Sequence, residues 1–555
     1  MYSGSFQEPR CKLTGFEVKK RDGLARISTY LTKEGTLELP CAIDTGTLFP
    51  DLLQRRLSNV PLSAPAEFAN RYKYKGGGQP VEIYPAAIPH VSPGDCVMVP
   101  SWSTTLSNPR DYVSWLVSMK TRIPPDTAWY IPAVALPSNV HLLCYSGFDL
   151  FDFTAVDLRT TQHLFCLPEG EFPATFLNDG ICDCRGCRES DLGLHNRLAL
   201  KRELVLIRHF IAEQQLREFV DGRVRMQASH VAILRHLDYN GAFFEERIPV
   251  VRNARLGAMS GDALFRPEIR RFAERVVERY IPSEGPVAVL LPCSAKKPYS
   301  LSQSHHKFIS AIAGRAVELI VTSPLGLVPR DLEQVYPAAH YDIPVTGYWD
   351  KEEISITAGI LNRFLSRHHF TRLIAHLEGG ALEAAQMAAG LSGIELTCTG
   401  CGHTVSREAL ACLDDALSGE RKVTYDPVRG ILSWQFGIAV DTTGMTIRWK
   451  RPNLSVRKGT IHLFSLNPGT GLLRPTFAGW NHIPRVYRVI IDDFPVRGDI
   501  LVPGVIAADP MIREGDEVLV EGPHALATGR AAMGATEMHS SAHGVAVRVR
   551  KVLKD

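Results

Sequence analysis

Four short apolar runs constrain this chain most: VAVLL at 287–291, VELIVT at 317–322, RLIAHL at 372–377 and IELTC at 394–398. Each reads as a strand. Helical segments lie between them, near His305–Ala313, Ile354–Phe370 and Leu382–Leu391. Strand and helix in alternation call for a mainly parallel sheet with helices on its faces. Residues 250–405 are therefore expected to form an α/β layer. In such a sheet the loops that follow strand C-termini converge at one edge, and that edge is where ligands bind.

Those loops carry the chemistry. VAVLLPCSAKKPYSLSQSHHKF runs off the first strand and puts Cys293, Ser294, Lys296, Lys297, Tyr299, Ser302, Ser304, His305 and His306 in one loop. TSPLGLVPRDLEQVYPAAHYDIPVTGYWDKEE follows the second strand and HLEGG the third. Cys293, Ser294, Lys296, Lys297, His305 and Glu378 are the catalytic candidates. Ser323, Arg330, Glu333 and Asp342 are candidate substrate contacts. A cysteine at a strand end beside two lysines suits a thiolate. Adjacent lysines repel, which lowers the pKa of one of them; either serves equally as a phosphate contact.

A chain of 555 residues exceeds what one core can organise. Besides the α/β layer, three regions are expected. Residues 1–245 mix strands and helices and end in a helical stretch from Leu194 to Phe219, with Leu198, Leu200, Leu204, Leu206 and Ile207 among its apolar positions. Residues 406–484 open with a short helix, capped by Ser406 with Glu408 in its first turn, and continue as β-rich segments. Residues 485–555 alternate short strands with tight turns, as a small β-barrel does.

Hydrophobic residues make up 45% and charged residues 22%, the balance of a soluble globular protein. No apolar run approaches the ~20 residues needed to span a bilayer. The segment MYSGSFQEPRCKL lacks the apolar centre of a signal peptide, so a cytoplasmic protein without membrane contact is expected. Net charge is only +3, yet residues 421–490 hold eleven Lys and Arg against Asp426 and Asp441. That local excess suits a phosphate backbone.

The twelve cysteines are clustered rather than spread as a disulfide framework. Cys182, Cys184 and Cys187 form one group, and Cys398 and Cys401 form a CxxC. In a cytoplasmic chain such clusters suggest metal ligands before disulfides. Three thiolates and one imidazole close a tetrahedral zinc set, leaving no position for water, so that role is structural. Both His195 and His209 follow the first cluster. Cys398, Cys401 and His403 show no evident fourth ligand and read as a turn at the end of the sheet.

The CxCxxC…His order resembles the zinc site of tRNA-guanine transglycosylases. In that family the ligand histidine lies well along the following helix, which favours His209 and leaves His195 open. GFDLFD (147–152) resembles the same family's strand bearing an aspartate nucleophile, matched here by Asp152. The family's DSG-type acid/base loop is not visible, and the preceding segment is too short for the family's barrel. The resemblance thus implies a truncated TIM-barrel-like domain that no longer exchanges bases.

GDILVPGVIAADPMIREGDEVLVEG, then ATGRAAM, then GVAVRVRKV resembles a PUA domain. The resemblance implies RNA binding by Arg530 and the basic tail Arg548, Arg550, Lys551 and Lys554. Removal of residues 485–555 is expected to leave the α/β layer folded. The runs PCSxKKPYSxSxSHxxF, SPLGLVPRDLE and YDIPVTGYW resemble the archaeosine synthase family. That resemblance implies a tRNA bearing 7-cyano-7-deazaguanine at D-loop position 15. It implies attack on the nitrile by the side-chain amine of free lysine, giving an amidine-linked lysine that a radical-SAM partner enzyme then cleaves. Two other functions compete: an active transglycosylase exchanging guanine for the deazaguanine, and a non-enzymatic tRNA chaperone. The missing acid/base loop argues against the first and the polar Cys293 loop against the second. Homo-oligomerisation is left open.

Overall fold

The computed structural model describes residues 16–32, 35–44, 82–84, 96–98, 108–344, 348–450 and 453–553, with 67 and 106. The N-terminal segment read above and Lys554 lie outside these residues. The chain divides into two compact units, one of residues 1–236 with 540–544, the other of 237–539 with 545–555.

The first unit opens with an antiparallel meander of Phe16–Asp22, Ala25–Thr32 and Gly35–Leu39. A five-stranded sheet follows in the order Cys41–Ile43, Leu150–Asp152, Ala128–Tyr130, Cys96–Met98, Glu82–Tyr84. The first four strands pair in parallel and the last is antiparallel. Among the described residues this sheet is open, as a truncated barrel requires. The expected helix to Phe219 is two helices, Leu192–Ala212 and Leu216–Arg223. The chain breaks between them where Gln214 adopts φ 57°, a left-handed conformation that a helix cannot propagate.

The second unit contains the α/β layer. Its sheet runs Gly326–Pro329, Val317–Thr322, Val287–Pro292, Arg372–Ala375, Leu396–Cys398. All pairs are parallel except the edge strand Gly326–Pro329. Val287 through Leu291 are fully buried, as a strand with helices on both faces must be. The intervening helices are Gln303–Ile312, Lys351–Arg367 and Gly379–Ser392. Each boundary has a local cause. Ser302 Oγ accepts from the His305 N–H, Asp350 and Glu353 form a reciprocal capping box, and Gly393 takes a left-handed conformation after the last helix.

After the helix Arg407–Ala416 the sequence reading expected only β-rich segments. The structure adds a helix, Pro427–Phe436. Its signals are orthodox: Asp426 accepts from the Arg429 N–H, Pro427 occupies the first turn, and Gly437 is left-handed. An antiparallel four-stranded sheet follows, Met445–Lys450, Asn453–Lys458, Ile461–Leu466 and Leu473–Pro475. Along its first strand Arg448 and Lys450 are exposed while Ile447 and Trp449 turn inward. The six C-terminal strands form one sheet, Ile500–Leu501, Val545–Val552, Ala525–Ala531, Glu517–Gly522, Arg488–Ile491, Val505–Ala508. No helix among the described residues is long and apolar enough to cross a membrane.

The expectation that residues 485–555 can be removed cleanly does not fit the packing. One hydrophobic core runs from Val250 and Val287 through Trp434 and Trp480 to Val518 and Val547. Trp480 Nε1 donates to Thr528 Oγ1 (3.0 Å), and Val250 N donates to Glu514 O (2.8 Å). Deleting the barrel would expose the buried side of this core, at roughly 25 cal/mol per Å² of apolar surface. A chain ending at 484 should therefore aggregate or lose its cooperative thermal transition. Retention of the parent melting profile would show that the barrel packs as a separate module.

Candidate functional site

The C-terminal edge of the α/β sheet gathers most of the candidates. Pro292 ends the central strand, and the polar loop begins at Cys293, which is exposed. Lys297 folds back so that its Nζ lies 4.0 Å from the centre of the Tyr341 ring. Burial holds the Lys297 ammonium below its ordinary range, opposed by the neighbouring Cys293 and Asp342. Tyr341 begins the short strand Tyr341–Asp342, parallel to Leu256–Gly257. Its hydroxyl is 2.8 Å from Tyr299 Oη and 2.7 Å from Thr322 Oγ1. Burial pushes both tyrosines up, and Cys293 is a neighbour of each. Cys293, Lys297, Tyr299, Tyr341 and Asp342 thus share one place. Tyr299 lay in the loop that sequence singled out, but Tyr341 was missed. The YDIP run held the signal, but the parallel pairing that brings it to this edge is non-local.

Beneath the loop the structure corrects the sequence reading. Arg330 and Glu333 were read as candidate substrate contacts and His305 as a catalytic candidate; all three are buried. Arg330 donates to Glu318 through Nε (2.9 Å) and Nη2 (2.7 Å), to Glu333 Oε2 through Nη1 (2.9 Å), and to His305 Nδ1 through Nη2 (2.8 Å). A guanidinium only donates, so Nδ1 is the acceptor and Nε2–H donates to Pro292 O (3.0 Å). Burial, then the Arg330 charge, lowers His305 to about 3. The imidazole is neutral and both its nitrogens are engaged, so it is not placed to relay protons. Glu333 Oε2 also accepts from the Ser300 N–H (2.8 Å), tying the Cys293 loop to this network. The physical reason is spacing: PRDLE forms a tight turn, Arg330–Leu332, that points inward.

Ser323 is likewise buried and donates to Glu353 Oε1 (2.6 Å). Ser294 Oγ donates to the Lys296 carbonyl (2.8 Å), shaping the loop. Lys296, Asp342 and Glu378 are exposed, and Glu378 stands at the N-terminus of the helix Gly379–Ser392 without capping it.

Asp152 sits at the end of its strand and is 2% exposed. Both its oxygens are occupied, by Tyr130 Oη (2.8 Å) and by the backbone N–H groups of Ala133 (3.0 Å) and Thr154 (2.9 Å). Burial raises its pKa against those hydrogen bonds. A carboxyl so enclosed is an anchor for the chain that follows.

The cysteine cluster closes around a different histidine from the one favoured. Cys182, Cys184, Cys187 and His195 bring their donor atoms within 4.8 Å of one another. His195 Nδ1 lies 3.4 Å from Cys184 Sγ and 3.2 Å from Cys187 Sγ. Its Nε2 donates to the Cys166 carbonyl (3.1 Å), and its ring stacks on Phe165 at 3.7 Å. That second contact fixes the tautomer and aims Nδ1 at the thiols. His209 is fourteen residues further along the same helix, about 21 Å at 1.5 Å per residue. Gly186 permits the closure: a Cβ there would lie 2.3 Å from His195 N. The donor set and geometry fit a structural metal.

The RNA-binding candidates lie on two adjacent strands. Arg530 pairs in register with Arg548, and Thr528 with Lys551. Arg548, Arg550 and Lys551 are exposed. Arg530 is half-buried and donates to Gly515 O (2.9 Å), while Arg550 pairs with the buried Glu517 (2.7 Å).

Sequence comparison places these features. Residues 269–417 match a family described as a domain of unknown function (DUF5591), and residues 487–553 match the PUA domain. The archaeosine synthase subunit alpha of Methanosarcina acetivorans is 34% identical, the match covering 97% of this chain and 99% of that protein. The archaeosine synthase of Haloferax volcanii is also 34% identical, with the same coverage. A tRNA-guanine(15) transglycosylase of Methanobrevibacter smithii is 23% identical over 80% of this chain and 70% of that protein.

The cluster makes a direct prediction. His195→Ala should lower the melting temperature by several degrees and release the metal held by this cluster, because a closed set missing one ligand loses its folding contribution. His209→Ala should change neither. The reverse pattern, read by thermal melts and metal analysis, would return the fourth ligand to His209.

Proposed function

The chain belongs to the archaeosine synthase family, and from that premise we propose that it adds free lysine to the nitrile of 7-cyano-7-deazaguanine in tRNA. The base is at D-loop position 15. The product is an amidine-linked lysine, and a radical-SAM partner enzyme then cleaves it. The observation that supports this reading is the juxtaposition of the exposed Cys293 with Lys297, Tyr299 and Tyr341 at the sheet edge.

A nitrile carbon is a weak electrophile. The Cys293 thiolate adds to it, forming a C–S bond, while the nitrile nitrogen takes a proton to give a thioimide. The side-chain amine of lysine then attacks the same carbon. The C–S bond breaks, the thiolate leaves, and the amine gives up one proton to yield the amidine. Two modest steps replace one difficult one. Lys297 suits the proton work: it lies at the same edge, over the Tyr341 ring, and burial makes its ammonium a readier donor, so it gives a proton to the nitrile nitrogen and takes back the one the amine releases. Lys296, Ser294 and Asp342 line the approach, and Glu378 is free to receive the ammonium of incoming lysine. Arg330, Glu333, His305 and Ser323 act as positioning residues from below.

The tRNA is held by Arg530, Arg548, Arg550 and Lys551 together with the basic strands Met445–Lys450 and Asn453–Lys458. Such binding is phosphate-dominated and weakens steeply with salt. Zinc is the metal that suits the Cys182–Cys184–Cys187–His195 set, in a structural role. The competing base exchange is disfavoured by Asp152, whose two oxygens are already bonded.

Cys293→Ala and Cys293→Ser test the centre. Assayed with nitrile-bearing tRNA and lysine, both should lose at least a hundredfold in rate while binding tRNA normally. Near-parental rates in both would eliminate the thioimide and leave direct attack by lysine.

A further inference from the structure

The CTGCGH run, 398–403, was one ligand short in sequence, and the fold supplies a candidate. Cys398 ends the last strand of the α/β sheet, and Cys401 lies in the loop that follows. Gly402, at φ +78°, turns the chain directly after Cys401, a conformation that glycine takes at low cost. His403 comes next. Ser406 then starts the helix Arg407–Ala416, its Oγ accepting from the Ala409 N–H. That helix returns Cys412 to the loop, where its side chain meets that of Cys401, eleven residues earlier. Cys398, Cys401, His403 and Cys412 are all exposed.

We propose that Cys398, Cys401, His403 and Cys412 form a second metal site, a Cys3His set for zinc. Three thiolates and one imidazole satisfy a tetrahedral soft cation and leave no open position, so the role is structural. The CxxC turn, the glycine after it and a distant third cysteine brought back by a helix are what such a site needs. A disulfide between Cys401 and Cys412 would leave Cys398 and His403 without a part. The Val405 N–H approaches His403 Nδ1 (3.4 Å), which assigns Nε2 to the metal. The four donor atoms are not gathered to the degree seen at the first cluster. Metal binding therefore draws Cys398 and His403 onto the Cys401–Cys412 pair and releases the thiol protons.

The placement gives the site a purpose. Thr399 N donates to Ala375 O (3.0 Å), and the two ring nitrogens of His376 contact Thr399 Oγ1 (3.0 Å) and Thr404 O (2.7 Å). Gly400 lies so close that a Cβ on it would be 2.4 Å from the Leu377 carbonyl oxygen. The cysteine loop is thus wedged against the segment that ends in Glu378, and a metal there braces one wall of the reaction edge.

Metal analysis of the full chain, produced with zinc in the medium, tests the site. C401S and C412S should each hold one zinc fewer per chain than the parent, whatever the first cluster binds. C184S reports on that first cluster separately, so the two sites can fail independently. Far-UV circular dichroism checks that the exposed serine variants remain folded. Cobalt-loaded parent should show thiolate-to-cobalt absorption that weakens in C412S. Equal zinc in the parent and C412S would overturn the proposal, as would a Cys401–Cys412 disulfide in the zinc-loaded protein.

Discussion

The sheet edge that carries the Cys293 loop depends on one buried guanidinium. Arg330 reaches Glu318 on a sheet strand, Glu333 in its own turn, and His305 on the helix that follows the Cys293 loop. Glu333 in turn holds the backbone of Ser300. The loop is therefore fixed at two points, Ser300 and His305, while Cys293 is left exposed at its start. Removing one partner of such a buried network strands the others, which costs about 3–5 kcal/mol. Polar groups of this kind yield little net stability, but they specify a single loop conformation, which the proposed chemistry at Cys293 needs, because misplaced reacting groups lose rate steeply.

The same division of labour recurs elsewhere. Asp152 stands where a transglycosylase-like strand would present a nucleophile, yet its oxygens secure Tyr130, Ala133 and Thr154. His195 is anchored through Nε2 so that Nδ1 can face three thiols. In the C-terminal sheet the buried Glu517 holds Arg550 beside Arg530 and Arg548. In each case an inward polar contact sets the position of a residue or an outward-facing group.

The local elements were legible in the sequence because their signals are local. The strand Val317–Thr322 coincides with the run read from sequence, and the cap at Ser406 was read from its residue type. What was not legible depends on direction or distance. Loop membership places Arg330 at the right edge but does not say that its side chain turns inward. The choice of His195 over His209 turns on a helix rise that sequence spacing alone does not locate relative to the thiols. Tyr341 reaches Lys297 through pairing with Leu256–Gly257, more than eighty residues away. The helix Pro427–Phe436 was readable, since Asp426, Pro427 and Gly437 mark its ends, but the β-rich stretch around it outweighed them.

The central claim is that lysine is joined to a nitrile already present in tRNA. It is tested most directly by mass spectrometry of nucleosides from nitrile-bearing tRNA after incubation with the protein and isotopically labelled lysine. The account predicts a deazaguanine nucleoside heavier by one whole labelled lysine, with the nitrile nitrogen retained as part of the amidine. An unlabelled nucleoside, or release of the free deazaguanine base from the tRNA, would contradict it.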